Sequence, residues 1–135
     1  MCAKVGSGYH LFVGQTLEAI KKEDEYRLTT LAYAYRITEG PSFDDPWIVR
    51  WEYESRALKA GLQPRHHCHL PATIKCFGRR PFDSSKLHIP SGWITVEEVI
   101  RFLIQELKVR PKRADWDRLL CESEERFRDW TGRDA

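Results

Sequence analysis

The chain is sparing with cysteine, has no long apolar run and carries almost no net charge. Its four cysteines, Cys2, Cys68, Cys76 and Cys121, are widely spaced and form no C-x-x-C pair, so reduced thiols in a cytoplasmic protein are the simplest expectation. No apolar stretch is long enough for a signal-peptide core or a transmembrane helix, which sets aside a membrane partner. A net charge of +2 over 135 residues does not by itself indicate nucleic acid. Internal repeats and low-complexity segments are also missing.

What is present is the material of a core. A hydrophobic fraction of 41% with 5 Trp, 5 Tyr and 6 Phe indicates an ordered globule, and the length suits one domain covering residues 1–135. The charge is uneven. Residues 65–86 hold five bases (Arg65, Lys75, Arg79, Arg80, Lys86) against the single acid Asp83, a local +4 that leaves −2 for the rest. Such a segment suits an anionic partner such as a phosphate backbone, and it is equally what a solvated basic loop looks like.

Residues 1–14 read as a loose arm or a short edge strand. Residues 15–25 read as a short helix, with Thr16 as N-cap and Leu17 and Ile20 three apart. From Tyr26 the period changes to two. Leu31, Tyr33, Tyr35 and Ile37 alternate with smaller or polar residues, and Trp47, Val49, Trp51 and Tyr53 do the same beyond a turn-rich stretch. The two runs predict an antiparallel hairpin with an aromatic core face. A helical turn around residues 56–60, a strand over 65–77 broken by Pro71, and a short strand over 87–89 follow. Thr95-x-x-Glu98 is a capping box opening a helix with the apolar stripe Val96, Val99, Ile100, Leu103, Ile104 and Leu107, ended by Val109-Arg110-Pro111. A last helix spans about 115–130, with Trp116, Leu119, Leu120, Phe127 and Trp130 on one side. Grouped strands followed by grouped helices give an α+β fold: an antiparallel β-sheet with helices packed on one face, two of them C-terminal.

The chemistry centres on Arg65-His66-His67-Cys68-His69-Leu70. In an extended chain His67 and His69 share one face and His66 and Cys68 the other. His67, His69 and His88 are candidates for metal-free phosphodiester cleavage, one imidazole taking a proton and another donating one. Arg79, Arg80, Arg65 and Lys75 are the candidate phosphate holders, with Glu52 and Tyr53 in support. The rival is zinc held by His67, His69, Cys76 and His88, although the spacing fits no standard pattern. Cys68 reads as a packing residue, because its neighbours in sequence point away from it.

Trp51-Glu52-Tyr53, the cluster His66-His67-Cys68-His69 and the glutamate-capped apolar helix together resemble the TumE-like toxins of bacterial toxin–antitoxin systems, over about residues 26–107. The resemblance implies a growth-inhibiting toxin acting on RNA as a ribonuclease, neutralised by a cognate antitoxin protein. It places the motif residues at His67 and His69, with Glu52 on the preceding strand. This chain departs from the group by inserting residues around 76–86 and adding a C-terminal helix. A non-enzymatic nucleic-acid or protein-binding module is the alternative function.

Overall fold

The computed structural model describes residues 1–6, 8–55, 64–71 and 88–131. Six strands form one antiparallel sheet in which every strand pairs with its neighbours in sequence: β1 (Cys2–Val5), β2 (Tyr9–Lys22), β3 (Glu25–Thr38), β4 (Trp47–Glu54), β5 (His66–His69) and β6 (Ile89–Pro90). Two helices, α1 (Val96–Gln105) and α2 (Trp116–Thr131), pack on one face. This is the expected α+β architecture. None of the described helices is long and apolar enough to cross a membrane.

The expected helix over residues 15–25 is instead part of β2. Lys22 pairs with Glu25 across the turn, and every residue from His10 to Lys22 has a partner on β3. Two apolar residues three apart are a thin helical signal, and they lose to a full ladder of cross-strand hydrogen bonds. The turn itself is strained, because Glu23 adopts a left-handed φ of 55°. The N-terminal segment resolves to an edge strand, β1, beside β2.

The predicted hairpin forms with the expected faces. Tyr33 lies opposite Tyr53, Tyr35 opposite Trp51 and Ile37 opposite Val49. With Leu11 from β2, and Val99 and Leu103 from α1, these β3 and β4 residues make the core, in which Tyr35 and Ile37 are fully buried. Trp47 departs from the pattern. A bulge between Ile37 and Thr38 interrupts the alternation, so Ile48 packs against the core while Trp47 lies under the guanidinium groups of Arg36 and Arg50, each 5.6 Å from its ring.

The capping box of α1 closes as expected. Thr95 Oγ1 accepts from the Glu98 amide at 3.2 Å, and a Glu98 carboxylate oxygen accepts from the Thr95 amide at 2.8 Å. The helix stops at Gln105, short of the predicted end, and Lys108 at φ 56° turns the chain away. α2 buries no residue completely and is fastened to α1 by polar contacts. Arg101 reaches Asp117 at 3.1 Å and Glu124 at 3.0 Å, and Ser123 donates to Glu97 at 2.6 Å. Trp130, expected on the packed side, is 67% exposed.

Candidate metal centre

Strand pairing builds the site. Arg50 lies opposite His69 and Glu52 opposite His67, and directly opposed residues share a face. Arg50, Glu52, His67 and His69 therefore stand together on the face away from α1. β6 returns antiparallel, with Pro90 opposite His67, and that closure carries His88 to the same place. One nitrogen from each of His67, His69 and His88 lies within 4.8 Å of the others. The three rings pack edge to face, with centroids 5.0, 4.8 and 4.7 Å apart.

The hydrogen bonds define what these nitrogens offer. His67 Nδ1 is 2.8 Å from the carbonyl oxygen of Pro64. A carbonyl only accepts, so Nδ1 carries the hydrogen and the neutral ring presents Nε2 as a bare lone pair. That Nε2 is buried without a hydrogen-bond donor among the described residues, and the residue is 5% exposed. Its neighbour is Glu52 Oε2 at 3.5 Å, and His69 Nε2 stands 3.4 Å from the same oxygen. A carboxylate and an imidazole lone pair repel each other unless positive charge lies between them. A proton or a metal ion supplies that charge.

Electrostatics bear on the choice. Burial pushes the pKa of His69 below its ordinary value, and the Arg50 guanidinium adds to the effect. Glu52 opposes it, while His67 and His88 reinforce it. His69, 2% exposed, thus favours its neutral form. Arg50 Nε pairs with Glu52 Oε1 at 2.9 Å, which leaves Oε2 turned toward the imidazoles. Zinc–nitrogen bonds of about 2.0–2.1 Å put nitrogens in a tetrahedral array about 3.4 Å apart. The nitrogens here lie within 4.8 Å of one another, so binding would draw the widest of these separations in by about 1.4 Å through side-chain rotation.

The other face of β5 has different chemistry. His66 stacks on Tyr53 with ring centroids 4.4 Å apart and planes at 8°, and its Nδ1 is 3.2 Å from the Tyr33 hydroxyl. Tyr53 is therefore occupied on the helix-facing side. Cys68 lies opposite Trp51 and Ile89, and burial raises its thiol pKa, as suits a packing residue. Cys76, Lys75, Arg79 and Arg80 lie outside the described residues, as do the helical turn at 56–60 and the strand residues 72–77. Arg65 is exposed and lines a groove of about 540 Å³ that also touches Glu52 and His67. Small residues from β2 and β3, including Gly14, Ala32 and Ala34, line the same groove.

The part that sequence reading missed is the Pro64 carbonyl, which fixes the tautomer of His67. Nothing in the sequence signals it, because a backbone acceptor has no residue-type signature. Comparison with protein-family models, with curated proteins and with solved structures gives no match.

Proposed function

We propose that His67, His69, His88 and Glu52 hold one divalent transition-metal ion, and that this centre serves phosphodiester hydrolysis in RNA. The carrying observation is the convergence of imidazole nitrogens on a carboxylate oxygen with no donor between His67 Nε2 and Glu52 Oε2. Three nitrogens and one oxygen are a donor set that zinc accepts. With four protein donors already on it, a divalent ion there would need a fifth position to open before it could polarise a phosphoryl oxygen or acidify a water. The chain's own residues do the rest. Pro64 orients His67, Arg50 orients Glu52, and the adjoining groove, with Arg65 on its rim, admits the substrate. RNA as the substrate, and inhibition of growth relieved by a cognate antitoxin, rest on the basic segment 65–86 and on the TumE-like resemblance.

Metal-free cleavage by His67 and His69 is the second reading, favoured by the groove that reaches His67. It asks two imidazoles that are 5% and 2% exposed to exchange protons with a substrate. The metal reading is preferred because a bound cation would satisfy the His67 Nε2 lone pair that faces Glu52 Oε2. The test is protein purified without a histidine tag, analysed for metal and incubated with RNA with and without a chelator. About one equivalent of bound ion and chelator-sensitive cleavage are expected. Metal well below half an equivalent together with chelator-resistant cleavage would move the site to acid–base chemistry. Metal-replete protein that never cleaves RNA would remove the substrate assignment and leave the centre standing.

A further inference from the structure

A second site lies on the other side of the molecule, where β1, α1 and α2 leave a gap. The cavity measures about 470 Å³ and is walled chiefly by aliphatic side chains, among them Leu11, Val13, Ile100, Ile104 and Leu120. That volume falls in the range of small-molecule sites, about 300–1,000 Å³. No acidic residue lines it, whereas Lys4, Arg110, Lys112 and Arg113 do. Arg113 is occupied by Asp115 at 2.9 Å. Lys4, Arg110 and Lys112 are exposed and make no ion pair among the described residues.

The placement of those cations follows from the chain. Lys4 stands on the edge strand, and the connection from α1 to α2 carries Lys108, Arg110, Lys112 and Arg113 without an acid from residue 107 to 114. Gly6 lets that connection come close. Its φ of 65° turns the chain out of β1, and a Cβ there would meet Val109 Cγ1 at 3.3 Å. An apolar chamber with two available cations, Arg110 and Lys112, along its lining matches an amphipathic anion: apolar surface leaves water inside, and the charged end meets opposite charge at the rim.

We propose that this cavity binds a free long-chain carboxylate, its acyl chain among β1, α1 and α2 and its head group at Arg110 and Lys112. The site is independent of the metal centre and of the RNA reading. The test is calorimetric titration of the full chain with laurate below its micellar concentration, beside an alkyltrimethylammonium of equal chain length. Saturable binding of one equivalent of laurate is expected, with clear preference over the ammonium compound. The double variant Arg110→Glu/Lys112→Glu changes only exposed side chains and should weaken laurate binding about tenfold or more with an unchanged unfolding temperature. Ile104→Trp should fill the chamber and abolish binding. The proposal is overturned by absence of saturable laurate binding, by equal affinity for the cationic amphiphile, or by unaltered laurate affinity in a folded Ile104→Trp protein. Flotation with anionic phosphatidylglycerol vesicles in the absence of laurate binding would also overturn it, since the basic surface would then be reading a membrane.

Discussion

Zinc should raise the unfolding temperature of this protein, and the size of the rise can be worked from the site. A ligand that binds only the folded state stabilises by RT ln(1 + [L]/Kd), about 2.7 kcal/mol at a hundred times the dissociation constant. The donors stand on β4 and β5 and just before β6, so folding assembles the full set, and zinc held by the His66–His69 cluster of the unfolded chain makes this increment an upper bound. For a domain of this size 1 kcal/mol moves the midpoint by roughly 3–5 °C, which gives a shift of roughly 10 °C. The assay is a thermal melt of untagged protein with chelator and then with rising zinc. His88→Ala is the sharpest control, because His88 is only half-buried and its loss disturbs packing less than loss of His67 or His69. It should melt near the wild-type chelated midpoint and lose most of the zinc increment. Acidification should act in the same direction, since each imidazole must be unprotonated to ligate. A zinc increment that is absent, or equally large in His88→Ala, would refute the centre.

Other perturbations follow from single features. Glu52→Gln keeps the shape but removes the charge facing two imidazoles, and should weaken zinc binding at least tenfold by competition titration. The chelated protein should lose stability as pH falls: the depressed pKa of His69 means that the unfolded state binds its proton first. That contribution is complete above about 6.5, the ordinary histidine value, and is lost progressively below it; a chelated melt that is flat from pH 7 to 5 would contradict this. Glu23→Gly should stabilise by about 0.5–1 kcal/mol in urea titration, because relief of the left-handed φ outweighs the added freedom of the unfolded chain. Thr95→Ala should cost about 1 kcal/mol through loss of the α1 cap, while Thr95→Ser should cost little.

What the sequence made legible was whatever depends on neighbours along the chain. The alternation around Tyr33–Tyr35 and Trp51–Tyr53 encodes its own face, and the Thr95–Glu98 box its own helix start, so both appear where expected. The division of β5 into a His67/His69 face and a His66/Cys68 face was legible for the same reason. The segment 15–25 was misread because its conformation is imposed by residues 25–33 on the partner strand, which override weak local preference. Convergence on His88 was not legible as geometry, since it depends on β6 closing against β5 across residues 70–88. Trp47 lost its expected place to a bulge, a one-residue event that periodicity does not register.

The energetics of the outer face argue for a purpose beyond packing. The hydrophobic core lies on the other face, built from Leu11, Tyr33, Tyr35, Ile37 and Val49 against Val99 and Leu103. Nothing in that core requires histidine behind it. Leaving a buried acceptor unsatisfied costs about 1–3 kcal/mol, and His67 Nε2 facing Glu52 Oε2 is such a case in the neutral state. Valine or leucine at 67 and 69 would suit a strand without that penalty. Arg50 makes the arrangement more particular, because it occupies Oε1 and so leaves Oε2 directed at both rings. A second proton on His69 is opposed by its burial and by Arg50 itself. A divalent ion, as proposed above, would meet the same carboxylate and the His67 lone pair at once, with His69 and His88 close enough to join them.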